Sequence, residues 1–168
     1  MKIAVIGYSG SGKSSLAKYI GIKYNISVLY LDTVHWLPGW IERKLDEETV
    51  IVKDFLDNNS EWVIDGNYTR VVFERRLEEA DKIIFMNFNR FTCLYRVLKR
   101  FFEYRGNTRG SITSGCNEKI DFEFLKWILY KGRTIHRRKK YKKFLKEYES
   151  KVIVINNQRE LNLYKENF

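Results

Sequence analysis

A chain of 168 residues with 44% hydrophobic and 15% aromatic side chains can bury a full core, which excludes a disordered or low-complexity polymer. Its 31 Lys and Arg against 21 Asp and Glu give a formal net charge of +10, which favours anionic partners such as nucleotides, phosphates or nucleic acid. No apolar run is long enough for a membrane span or a secretory signal. Cys93 and Cys116 have no metal-ligand spacing and read as free thiols, so a cytoplasmic, single-domain chain over 1–168 is expected.

The first element is the apolar run KIAVI at 2–6, which reads as a strand, and a helical pattern covers 13–22. Between them lies Gly7-Tyr8-Ser9-Gly10-Ser11-Gly12-Lys13-Ser14-Ser15, and Gly7, four residues, then Gly12-Lys13-Ser14 is the G-x4-G-K-[ST] phosphate-loop pattern. Glycines let successive N–H groups turn toward phosphate oxygens, and the helix that follows adds the positive end of its dipole. The pattern predicts that Gly7, Ser9, Gly10, Ser11, Gly12 and Ser15 shape a site for ATP. Lys13 is then expected on the β- and γ-phosphates and the Ser14 hydroxyl on Mg²⁺.

A second strand over 28–31 runs into Asp32, and a third over 62–64 runs into Asp65. In a parallel sheet both acids fall at the carboxyl edge, beside the phosphate loop. One could hold Mg²⁺ through water and the other could position or deprotonate an acceptor hydroxyl. Asp65 suits the metal and Asp32 the acceptor, because the aromatic segment HWLPGW follows Asp32. His35, Trp36 and Trp40 could stack on a planar acceptor or form a local cluster around Pro38. Helical patterns follow over 46–58 and 70–80, then a strand over 83–86.

Over 91–104, Phe91, Leu94, Leu98, Phe101 and Phe102 read as one apolar face, with Arg96 and Arg100 opposite as candidate phosphate or base contacts. Arg105 and Arg109 follow in a glycine-punctuated loop, 105–119, where mobile arginines could close over a triphosphate as a lid. Helices over 121–130 and 135–148, a strand over 152–155 and a short helix from about 158 complete the chain. From Lys131 to Lys146 the sequence carries nine Lys or Arg and no acid. Tyr141, Phe144, Leu145 and Tyr148 share one helical face, with Lys139, Lys142, Lys143 and Lys146 across from them. That face is a solvated surface or a site for nucleic acid, an acidic partner or an anionic membrane. Strands alternating with helices predict an α/β fold with a parallel sheet covered on both faces.

The stretches IGYSGSGKSSLA, LDTVHWLPGW, WVIDGNYT, LYRVLKR and GCNEKIDFEFLKWI resemble adenylate-kinase-like P-loop kinases, and more narrowly the DNA topology modulation proteins. The resemblance implies a three-layer P-loop NTPase fold with a five-stranded parallel sheet in the order 2-3-1-4-5, an acceptor-side segment near 32–60 and a lid near 105–120. It also places Arg96 and Arg100 as paired arginines before the lid. Where adenylate kinases have Asp-Gly-Phe-Pro-Arg, this chain has DGNYTR, so the proline is missing and the arginine shifts to Arg70. The residues thus point to a phosphotransferase acting on a small nucleotide or nucleoside acceptor, with an ATP-binding nucleic-acid protein as the rival reading.

Overall fold

A computed structural model describes residues 1–104, 110–117 and 119–167. In chain order these form β1 (Lys2–Gly7), α1 (Lys13–Tyr24), β2 (Ser27–Tyr30), α2 (Leu31–His35), β3 (Trp36–Leu37), β4 (Ile41–Glu42), α3 (Leu45–Asn58) and β5 (Trp62–Asp65). They continue with α4 (Phe73–Glu79), β6 (Lys82–Met86), α5 (Arg90–Glu103), α6 (Phe122–Leu129), α7 (Ile135–Glu147), β7 (Val152–Ile155) and α8 (Gln158–Asn167).

The main sheet is parallel with neighbours β2-β5-β1-β6-β7. Counted along this sheet alone the order is 2-3-1-4-5, because the small antiparallel β3–β4 hairpin stands apart. Ile3, Ala4, Val5 and Ile6 are all buried, so both faces of the central strand are covered, which explains a run without polar alternation. The core extends through Trp62, Val63 and Ile64 of β5 and Ile83 to Met86 of β6. Among the described residues no helix is long and apolar enough to cross a membrane.

Three local expectations are corrected. The strand expected over 28–31 ends at Tyr30, and the chain turns there into α2 and then the β3–β4 hairpin, so Asp32 lies in the first turn of a helix rather than at the end of a strand. The helix expected from residue 70 begins at Phe73. Its N-cap, Val72, sits in left-handed backbone (φ 46°), and the preceding carbonyls of Gly66, Asn67, Tyr68 and Val71 accept hydrogen bonds from the buried Arg76. Those carbonyls are committed to a guanidinium instead of a helical ladder.

The third correction concerns α5. Its buried side runs through Cys93 and Val97, while Phe91 and Phe102 are 71% and 70% exposed. Arg96 and Arg100 share the turned-in side, three residues on from Cys93 and Val97. Close contact with the phosphate loop sets this orientation. A β-carbon at Gly10 would lie 2.6 Å from the Cys93 carbonyl oxygen and 2.8 Å from a Val97 methyl, so α5 fits only with its small side inward.

Candidate functional site

The loop between β1 and α1 is closed by the Ser11 N–H, which donates to the Tyr8 carbonyl at 3.2 Å. Gly10 and Gly12 adopt φ of 76° and 96°, a region costly for residues with a β-carbon. Gly12 occupies the N-cap of α1, where no side chain caps the helix and no acid lies in the first turn. The amide donors and the positive end of the helix dipole are thus left for an external anion. The Ser11 hydroxyl is fully buried and has no hydrogen-bond partner among the described residues, and Lys13 Nζ donates back to the Tyr8 carbonyl at 3.0 Å. Such a cradle fits a polyphosphate.

One open cavity of about 1640 Å³ adjoins this loop. Ser9, Gly10, Gly12, Lys13, Ser14 and Ser15 line it, as do Asp32, Asp65, Arg96 and Arg100. Gly7 and Ser11 are buried in the structure of the loop itself. Arg105 and Arg109 lie outside the described residues. Arg70 is exposed and lines the same cavity.

Asp65 ends β5 at 5% exposure, in register with Val5 of the strand that leads to the phosphate loop. Burial, with a contribution from the Asp65 charge, pushes the nearby Tyr30 phenol up. Asp32 accepts a hydrogen bond from the Tyr68 hydroxyl at 2.8 Å. Burial, together with Asp32, pushes the Tyr68 phenol far above its ordinary value, so it stays a donor through the whole working pH range. Beside them the nearly buried Glu48 holds His35 Nδ1 at 2.7 Å, and the His35 ring packs on Tyr68 with centroids 4.9 Å apart.

The aromatic segment forms a local cluster that also borders the cavity. Trp36 meets His35 edge-on at 4.5 Å and Trp40 at 5.4 Å, and all three line the cavity wall. The chain after the undescribed stretch is fastened to this hairpin. Thr113 Oγ1 donates to the Thr33 carbonyl at 3.2 Å and to that of Trp36. The Cys116 thiol reaches the Leu37 carbonyl at 3.2 Å, and Trp40 Nε1 donates to Asn117 O at 3.2 Å.

Three groups lay hidden in the sequence. Asn67 grips the backbone of Gly7 through both halves of its amide. Arg133, which lies in the long basic run, turns inward and stacks on the Tyr8 ring at 3.7 Å while donating to the Phe88 carbonyl at 2.7 Å. Trp127 Nε1 reaches the Ser9 hydroxyl at 3.3 Å and carries Arg137 over its ring at 4.4 Å. The one-signed charge of that run masked the split: Arg133 and Arg137 face the cavity, whereas Lys139, Lys142, Lys143 and Lys146 are exposed. Arg96 donates to the Ser11 carbonyl and to Gln158 Oε1 (2.6 Å), and lies 4.0 Å from the Phe88 ring centroid. Burial lowers the proton affinity of Arg96 and Arg133 alike.

No protein-family model matches the chain, and no curated protein does. Among solved structures it is similar to a shikimate kinase from Bacteroides thetaiotaomicron, with 17% identity over 99% of this chain and 95% of that one and a TM-score of 0.55. It is also similar to a shikimate kinase from Acinetobacter baumannii in complex with shikimate (14% identity, 98% and 89% covered, TM-score 0.50). A third is an uncharacterized protein from Eubacterium ventriosum (20% identity, 93% and 89% covered, TM-score 0.50). At these identities the likeness is one of fold, an α/β core with a five-stranded parallel sheet.

Proposed function

We propose that the chain is an ATP-dependent phosphotransferase of the P-loop kinase type that moves the γ-phosphoryl group to a small acceptor, a nucleotide or nucleoside. The observation that carries this reading is the shared cavity: the uncapped start of α1 with Lys13 and the hydrogen-bonded carboxylate of Asp32 border one space. The two shikimate kinases, proteins of the same fold, add support at the level of fold. The acceptor-side segment near 32–60 and the lid near 105–120 belong to the same proposal, as does a cytoplasmic location for a chain with free thiols.

In this mechanism the amides of Gly10, Gly12, Lys13 and Ser14 and the Lys13 ammonium bind the β- and γ-phosphates and orient the donor for in-line transfer. Ser14 and Asp65, the latter through water, are the residues that would hold Mg²⁺, which supplies charge neutralisation for the phosphates. Asp32, aimed by Tyr68, accepts the proton of the acceptor hydroxyl. Arg96, Arg100, Arg105 and Arg109 offset charge developing on the transferring group, and Arg133 and Arg137 join them from the α6–α7 side. The resemblance to the DNA topology modulation proteins supplies no step of this mechanism.

The test is ADP release from Mg·ATP with a panel of nucleosides and nucleotides, run beside Lys13→Ala. Acceptor-dependent release should fall by about 10²–10³-fold in the variant with its circular dichroism unchanged. Equal turnover in the two proteins would overturn the assignment.

A second reading concerns the outer side of α7. Arg138, Lys139, Lys142, Lys143 and Lys146 are exposed, and among the described residues none forms an ion pair. Tyr141 and Phe144 hold the helix to the core by packing on Phe85, so the charges stand on a fixed scaffold. That face supports binding to the phosphate backbone of a nucleic acid beside the kinase site.

A further inference from the structure

Residues 66–71 touch both halves of the cavity. Asn67 pairs with Gly7 as a strand neighbour would: Nδ2 donates to the Gly7 carbonyl at 2.7 Å, and the Gly7 N–H donates to Oδ1 at 2.9 Å. Gly7 has no slack on its other side, where a β-carbon would lie 2.4 Å from the Met86 carbonyl oxygen. It is caught between β6 and Asn67 at the entrance to the phosphate loop. The next residue, Tyr68, donates to Asp32 at 2.8 Å and packs on His35, which meets Trp36 edge-on. The carbonyls of Asn67 and Tyr68 both accept from Arg76 Nη2, at 3.3 and 2.9 Å, and the same guanidinium holds Gly66 and Val71. Arg76 is 1% exposed, and burial lowers it to about 9, so it remains charged at neutral pH.

Two adjacent side chains on one anchored loop therefore act in opposite directions, one on the donor loop and one on the acceptor-side acid. We propose that Asn67 and Tyr68 are positioning residues that couple the two halves, so that filling the phosphate loop shifts Gly7 and, through the 67–68 peptide, re-aims Asp32 and the His35–Trp36 pair. The peptide plane is rigid, and the Arg76 bonds remove the loop's independent freedom, so displacement at one side chain reaches the other. This inference rests on the reading that the phosphate loop takes a nucleoside polyphosphate. Neither residue needs to touch substrate. A purely structural Asn67 would add stability without carrying a signal.

The experiment titrates ¹⁵N-labelled protein with Mg·ADP, following the Gly7 amide, the Trp36 indole N–H and the His35 ring, with affinity measured separately by calorimetry. In the parent protein, saturation should move the Gly7, Trp36 and His35 resonances together. Asn67→Ala should bind ADP about tenfold more weakly and, once saturated, leave Trp36 and His35 in place. Asn67→Asp preserves the side-chain volume and the acceptor for the Gly7 N–H, but sets a carboxylate oxygen against the Gly7 carbonyl and adds a negative charge beside the phosphate loop. It should show the same silence at Trp36 and serves where the alanine variant does not fold. Parent protein that binds ADP without moving Trp36 and His35, or saturated Asn67 variants that still move them, would overturn the coupling. Calorimetry showing no ADP binding to the parent protein would bring down the phosphate-loop reading itself, and the coupling with it.

Discussion

Glu79 sits in α4 between two cations, with Lys2 Nζ at 2.9 Å and Arg75 Nε at 2.6 Å. The Lys2 hydrogen bond foremost, and Arg75 after it, hold this carboxyl below its ordinary value of 4.5. A depressed carboxylate stabilises the fold above its unfolded-state value, and that contribution is lost as pH falls through its folded-state value. Because all three partners are partly solvated, the effect is under about 1 kcal/mol. Glu79→Gln should therefore lower stability slightly at pH 7 and flatten its decline between roughly pH 5 and 3, as measured by denaturant unfolding across that range. A variant with the parent's full acid sensitivity would show that other carboxylates carry it. Arg76, three residues earlier, has the opposite surroundings. It is buried among carbonyls, and nothing in the local spelling of ERRLEE separates it from its solvated neighbour Arg75.

The elements themselves were largely legible. The phosphate-loop spelling, the five strands and the helices of the second half follow from periodicity and from residue types with one physical use. The faces of α5 were not. Phe91 and Phe102 made the apolar stripe look like the buried side, yet Cys93 and Val97 are at 0% exposure because Gly10 demands small neighbours. Contact with a loop more than eighty residues away overrides hydrophobic patterning, and a single helix window contains no trace of it. Val97→Ala should accordingly cost about 2 kcal/mol of unfolding free energy, whereas Phe91→Ser should cost under about 0.5. Equal losses in thermal or denaturant unfolding would restore the aromatic face as the packed one. Asn67 and Tyr68 were hidden for a related reason: DGNYTR reads as a turn, and only the sheet brings Gly7 and Asp32 to its two sides.

For the whole molecule, the net charge of +10 contains two clusters of cations that composition merges. One lines the cavity, including Lys13, Arg96, Arg133 and Arg137, and the other covers the outside of α7. Binding of a duplex DNA through five outward cations should give a slope of about −4.5 in log affinity against log salt, since each neutralised phosphate contributes about 0.9. Lys142→Glu with Lys143→Glu should remove most of that affinity and leave ADP binding as it was, which electrophoretic shift and calorimetry read separately. Affinity that ignores salt or survives the reversal would return α7 to the status of a solvated surface.

The sheet order also bears on synthesis. Lys2–Gly7 lies in the middle of the sheet, flanked by Trp62–Asp65 on one side and Lys82–Met86 on the other. Its second partner is made roughly 80 residues later, and at about 5–20 residues per second the strand waits some 4–16 s for that edge to be filled. Through that interval an apolar ribbon with open hydrogen-bonding edges is offered to the ribosome's surroundings, and the loop that follows it has no β6 backbone or α5 turn to shape it. The part of the chain spelled most plainly is thus among the last to take its final form during translation.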